Sequence, residues 1–207
     1  MSERAHPNDP NFQDRWEFHL RRGLIPSFRK YRNPYRAAFL SRYRWASQYC
    51  RGRDVLDVPC GMGWGTSLIA GTRSLMGIDV SADAIAEANR RYGHKAKFIV
   101  GDMSRLPFLD VSLDVVCCLE GIEHVPVEVG KSFLRECSRV LRPEKTLLLS
   151  SPYCRTKPHS GNPFHIHEYQ PDEIKHVLSK YFFVEDLITR DVDDLTVLYF
   201  RCRRKPS

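Results

Sequence analysis

The chain is 207 residues long, 42% hydrophobic and 11% aromatic, which suffices for one domain with a sizeable core and excludes a disordered chain. Lys and Arg outnumber Asp and Glu by 32 to 25, a formal charge of +7 that admits a nucleic acid, an acidic membrane or a phosphorylated metabolite as partner and selects none of them. Seven cysteines without a C-x-x-C pair indicate a reducing, cytoplasmic setting, and no run approaches the roughly 20 apolar residues of a membrane span.

Residues 1 to 33 read as an appendage, because Pro7, Pro10 and Pro26 interrupt helix while Trp16, Phe18 and Phe28 are scattered among arginines. From Pro34 to Cys50, Tyr35, Ala38, Phe39, Tyr43, Trp45 and Ala46 give a helix one broad apolar face. Its arginines, Arg36, Arg42 and Arg44, are assigned to solvent.

The stretch Val55 to Thr66, V-L-D-V-P-C-G-M-G-W-G-T, organises the chain: a short apolar strand ends at Asp57 and enters a glycine-rich turn. Gly61 and Gly63 allow backbone dihedrals and ligand approaches that a Cβ forbids, and Thr66 to Ala70 is expected to open a short helix with free amides at its start. A second apolar run, Ser74 to Ile78, ends in Asp79, and a third, Lys97 to Val100, ends in Gly101-Asp102. Between them Ser81 to Gly93 has helix boundary signals: Ser81 as N-cap, Asp83 in the first turn, Arg90 and Arg91 in the last. Alternating helix and strand predict a doubly wound α/β sheet. The acids at the strand ends then share the edge where ligands bind in such sheets, with Asp79 suited to two ribose hydroxyls and Asp102 to an exocyclic amine.

Leu113 to Leu119 is a continuous apolar run, as for a central strand buried on both faces. Val127 to Leu141 repeats apolar residues at helical period and is stopped by Arg142-Pro143. Leu147 to Leu149 is the next strand, Pro152 to Gln170 a long connection of the kind that commonly binds ligands, Pro171 to Tyr181 a helix, and Phe182 to Ile188 and Leu195 to Arg203 the final strands.

The glycine spacing Gly61-x-Gly63-x-Gly65 differs from the G-x-G-x-x-G of dinucleotide enzymes. With the acids that follow, it resembles the class I S-adenosylmethionine-dependent methyltransferases, in particular the "methyltransferase type 11" group acting on small molecules. That resemblance implies a Rossmann-like, seven-stranded, mostly parallel sheet with helices on both faces and an antiparallel last strand. The domain would span residues 34–207, with residues 1–33 covering the active site. It implies S-adenosylmethionine as cofactor: Asp57 and the Gly61 and Gly63 backbone, flanked by Cys60, facing its methionine part, Asp79 and Val80 its ribose, Asp102 and Met103 its adenine, and Glu120 lying close by. Pro59 departs from the family pattern, standing where a first glycine is usual.

By the same resemblance, His124 of Glu120-Gly121-Ile122-Glu123-His124 opens toward the acceptor, and its near-neutral titration suits removal of a proton during transfer. Certain RNA and quinone methyltransferases hold a divalent metal with a similar E-x-x-E-H and a later histidine, and this chain has His159, His165 and His167; the preferred reading is metal-free. Trp16, His165, His167 and Tyr169 are the substrate-side candidates. The expected reaction is methyl transfer to an oxygen or nitrogen of a small molecule such as a sugar, glycan precursor or specialised metabolite. RNA methylation and a non-catalytic cofactor-binding module are the alternatives.

Overall fold

The computed structural model describes the backbone of residues 15–21, 25–31, 34–192 and 195–206, and side chains of 36–191 and 196–206. Strands β1 (Arg15–Arg21) and β2 (Ile25–Tyr31) form an antiparallel hairpin with Phe18 opposite Phe28. The sequence reading assigns this part of the chain to an appendage and gives it no strand. Its sequence does alternate, with Trp16, Phe18 and Leu20 between Arg15, Glu17, His19 and Arg21, the period of a strand. The prolines obscured that signal, since they argue against helix and not against an edge strand.

A seven-stranded sheet follows. In chain order its strands are β3 (Asp54–Asp57), β4 (Ser74–Asp79), β5 (Lys97–Val100), β6 (Leu113–Leu119), β7 (Leu141–Cys154), β8 (Phe182–Val192) and β9 (Leu195–Arg204). In space the order is β5-β4-β3-β6-β7-β9-β8. Strands β3 to β7 pair in parallel, and β9 runs antiparallel to both its neighbours, so the expected fold class is the one observed. The turn back occurs between β3 and β6, which pair side by side although β4 and β5 lie between them in sequence. Ligands of open α/β sheets bind beside such a switch point.

Period-two alternation in the central strands feeds two cores. On one face Val116 and Cys118 of β6, Leu147 and Leu149 of β7, and Leu198 and Phe200 of β9 meet Phe133, Leu134 and Cys137 of α3 (Val127–Val140) and Ile174 and Leu178 of α4 (Pro171–Ser179). On the other, Val115, Cys117, Leu148 and Tyr199 meet Tyr43, Trp45 and Ala46 of α1 (Pro34–Ser47) and Ile85 and Ala88 of α2 (Ala82–Tyr92). Every residue of β6 is buried, so the strand is apolar except at Asp114, which pairs with Arg73 and Arg142.

Helix α2 begins as its sequence dictates: Ser81 Oγ accepts from Ala84 N. The helix expected from Thr66 to Ala70 is instead a single 3-10 turn, Thr66–Leu68. Only four residues lie between Thr66 and Gly71, whose φ of 73° turns the chain toward β4, too few to propagate an α-helix. Strands β7 and β8 run further than the apolar runs read for them, because they recruit polar residues at their ends.

Candidate active site at the carboxyl edge of the sheet

The loop after β3 is built by its glycines and by α1. Gly61 and Gly63 have φ values of 53° and 77°, the left-handed region that glycine enters without penalty. A Cβ at Gly63 would stand 2.8 Å from Ala88 Cβ and from the Phe98 ring, and one at Gly65 would collide with the Tyr43 ring. Phe39 stacks on Trp64 at 4.5 Å between centroids, and Arg36 lies over the same indole. Helix α1 thus clamps the loop. Pro59, preceded by a cis peptide, abuts Gly121 so closely that a Cβ at that position would strike its ring.

Asp57 is fully buried. Its Oδ2 accepts from Thr66 Oγ1 at 2.6 Å and from Tyr43 Oη at 3.3 Å, while Oδ1 has no partner. Burial pushes its carboxyl up to about 7 against the opposing hydrogen bonds of Thr66 and Tyr43. Asp79 braces the loop from the next strand: Oδ2 accepts from Gly61 N and Oδ1 from Ser81 N, both at 2.9 Å. Beyond them along the same edge stand Val80 and Asp102, both exposed. Cys60 and Met103 are buried and belong to the two core clusters. The unpartnered Asp57 oxygen and the two left-handed glycines fit a ligand carrying an ammonium group and a polar chain.

At the end of β6 the chain turns through Glu120, whose φ is 57°, an unusual conformation for a residue with a Cβ. Its carboxylate is engaged: Oε1 accepts from Ser150 Oγ at 3.0 Å and Oε2 pairs with Arg42 at 3.3 Å. Arg42 is therefore no solvated arginine, since its side chain is only 15% exposed and reaches across to the reaction edge. Periodicity on α1 could not reveal it, because the partner acid lies far along the sequence.

The 3-10 turn Ile122–His124 carries the remaining groups. His124 Nδ1 is 2.9 Å from Phe164 O, and the His124 and His165 rings meet edge to face at 5.1 Å. The loop before α4 is tied to this turn, as Ile166 N and His167 N both donate to Glu123 O, at 2.7 and 3.1 Å. His165 Nδ1 lies 2.6 Å from Glu168 Oε1, and Ser160 N and Oγ also donate to Glu168. Burial opposes the charge on Glu168, yet the hydrogen bonds of Ser160 and His165 hold its carboxyl below the usual range.

Of the substrate-side candidates, only His165 joins His124. His167 instead bonds Glu173 of α4 at 2.7 Å. Tyr169 is fully buried with an unpartnered hydroxyl, because its ring fills the space over Gly130; it anchors the loop and does not face an acceptor. The side chain of Trp16 lies outside the described residues. Glu123, which the sequence offers only as part of the E-x-x-E-H run, is fully buried beside His124.

Residues 55–144 match the family model described as "Methyltransferase domain". A probable S-adenosylmethionine-dependent methyltransferase of Mycobacterium tuberculosis is 34% identical over 148 residues, 69% of this chain and 53% of that protein. A fatty-acid O-methyltransferase of Mycolicibacterium smegmatis is 38% identical over 97 residues, 44% of this chain and 34% of that protein. This chain thus spans about half the length, or less, of these curated relatives. In fold it resembles the N-methyltransferase NodS of Bradyrhizobium japonicum, solved in complex with S-adenosyl-L-homocysteine, with a TM-score of 0.69 and 15% identity over 84% of this chain and 88% of that one.

Proposed function

We propose that this protein is an S-adenosylmethionine-dependent methyltransferase that moves a methyl group to an oxygen or nitrogen of a small-molecule acceptor. The observation that carries the reading is the loop itself. Two left-handed glycines, the inward Asp57 with one unused oxygen and the bracing Asp79 converge where β3 gives way to β4. Such a cradle has a place for the amino acid part of the cofactor at Asp57 and for ribose hydroxyls at Asp79. Val80 and Asp102 extend it toward an adenine.

When bound, the cofactor supplies an electrophilic methyl group on a sulfonium. The chain's own task is then to hold the acceptor in line and keep water out, and well-oriented positioning contributes much of the rate in such a transfer. In this reading His124 takes the acceptor's proton at Nε2, a role supported by the engagement of its Nδ1 with Phe164 O. The hairpin formed by β1 and β2 and the loop before α4 serve as the acceptor-side cover. The M. smegmatis relative that acts on fatty acids adds apolar acids to the acceptors worth testing beside sugars and specialised metabolites. The seven cysteines are all free and buried, in keeping with a reducing compartment, and among the described residues no helix is long and apolar enough to cross a membrane.

Calorimetric titration with S-adenosylhomocysteine tests the cofactor. Wild type should bind, and Asp79→Ala should weaken binding by about 1 to 3 kcal/mol through lost hydroxyl partners. Folded wild type that binds nothing refutes the reading. A mass-spectrometric screen of acceptors for a gain of one methyl group then identifies the substrate.

A further inference from the structure

The positive charge of the chain is not spread evenly over the fold. Strands β3 to β8 run one way and β9 runs back, so the starts of β3 to β8 and the end of β9 share the amino edge of the sheet, opposite the glycine loop. On that edge Arg51 and Arg53 lead into β3, Lys97 opens β5, Lys180 precedes β8 and Lys205 follows β9. None of these cations forms an ion pair among the described residues. The acids beside them are already matched: Asp54 and Asp114 with Arg73 and Arg142, Asp110 with Arg139, and Glu144 and Glu185 with Arg203. We propose that this edge docks on an anionic lipid bilayer, with the active edge turned away from it.

The spread of the cations sets the size of the partner. β5 and β8 are the two ends of the strand order, six strand spacings of about 4.8 Å or about 29 Å apart. Lys97 and Lys180 therefore cannot share one phosphate or one small anion. With a screening length of about 8 Å at physiological salt, each acts only on what is close to it. An extended array of negative charge is needed to meet them together.

Exposed apolar side chains on the same edge choose the kind of array. Leu109, 82% exposed, and Val111 lie in the turn that enters β6, the strand at the middle of the order, where Val111 N donates to Arg139 O. Phe183 is exposed at the start of β8. Apolar side chains flanked by cations fit the headgroup boundary of an acidic bilayer, where the apolar groups reach the acyl chains and the cations stay among the phosphates. A single-stranded nucleic acid instead uses open aromatic faces on which its bases stack. The Phe183 ring is already covered by Arg203 at 4.8 Å and Lys205 at 5.1 Å, and Leu109 and Val111 give a phosphate backbone nothing to bond.

The other edge has the opposite sign. Asp57 and Asp79 end β3 and β4, and Asp102 follows β5, so a negative bilayer draws in the basic edge first. The glycine loop then stays open to solution while the protein is docked.

Sedimentation of the full chain with vesicles tests the surface, comparing phosphatidylcholine alone with an equimolar mixture of phosphatidylcholine and phosphatidylglycerol at about 0.15 M salt. Wild type should sediment with the mixed vesicles and remain in solution with the neutral ones. Arg51→Gln, Lys97→Gln and Lys180→Gln combined should lower vesicle affinity by about 100-fold, at about 5-fold per cation. Arg105→Gln, Arg135→Gln and Lys157→Gln combined remove the same charge from other faces and should lower it by less than about 5-fold. Leu109→Ser, at an exposed position, should weaken binding by about 10-fold. Near-ultraviolet dichroism and thermal unfolding verify that each variant is folded. Wild type that ignores the mixed vesicles, or equal losses in the two triple variants, overturns the surface. RNA that binds more tightly than the mixed vesicles at the same salt, and is lost in the same edge variant, replaces lipid with nucleic acid and also overturns it. S-adenosylhomocysteine should bind vesicle-docked and free protein alike; vesicles that close the cofactor site would put the bilayer against the wrong edge. A protein that docks and binds no S-adenosylhomocysteine in either state loses the methyl-transfer reading and keeps this one.

Discussion

Replacing Asp57 with Asn isolates the cost of the charge inside the glycine loop. The carboxyl rises from an ordinary 3.8 to about 7 in the folded protein, with burial as the leading cause. Because the folded value is the higher one, the folded state holds the proton more tightly than the unfolded chain. The associated stability is fully present below pH 3.8 and is lost as pH rises through about 7. At 1.36 kcal/mol per pH unit the span amounts to about 4 kcal/mol. Asn keeps the shape and an oxygen for Thr66 and Tyr43 but has no charge to bury. Urea unfolding of ligand-free wild type and Asp57→Asn from pH 4 to pH 8 should therefore give curves that diverge, the variant gaining on wild type by up to about 4 kcal/mol toward pH 8. Contributions of all other groups cancel in the difference. Parallel curves would show that Asp57 is not held in a desolvated state, and the proposed pairing of its unused oxygen with a cofactor ammonium would fall with it. If that pairing is right, S-adenosylhomocysteine binding near pH 6 releases protons in wild type and not in the variant, which calorimetry in two buffers of different ionisation enthalpy measures.

Two further outcomes test the packing. Gly65→Ala drives a Cβ into the Tyr43 ring and should cost about 1 to 3 kcal/mol in thermal or urea unfolding, with cofactor binding reduced because the loop shifts; an unchanged melting temperature would contradict the clamp by α1. Tyr169→Phe removes a buried hydroxyl that has no partner, so stability should stay level or rise by up to about 1 kcal/mol, and a loss larger than this would mean that the hydroxyl is bonded.

Much of the sheet was legible because its period is imposed by burial. β6 is apolar but for Asp114 since helices cover both its faces, and α3 shows its stripe because Phe133, Leu134 and Cys137 all face one core. Ser81 was legible as a cap because capping needs only a side-chain oxygen within three residues of a free amide. What remained hidden depends on distant partners. Arg42 looks like any helix-surface arginine until β6 brings Glu120 to it. Three histidines, His159, His165 and His167, lie in the loop after the E-x-x-E-H run, and nothing in their spacing selects His165. The choice is made by the path of the loop, where Asn162 Oδ1 takes Phe164 N and Glu123 O takes the next two free amides, so that His167 is turned to α4 and Tyr169 into the core.

The placement of β9 between β7 and β8 bears on the order in which the chain acquires its shape during synthesis. Strands β3 to β7 emerge from the ribosome in an order that lets each find a neighbour, but β8 emerges with none, since the strand that joins it to the sheet comes after it. Until residues 195–204 are made, β7 has an open edge and the apolar residues waiting for Leu198, Phe200 and Cys202 remain wet. Such late, non-local pairing is slow and leaves surfaces open to association. A nascent chain halted before β9 should therefore be a better client of chaperones than one halted a few dozen residues later.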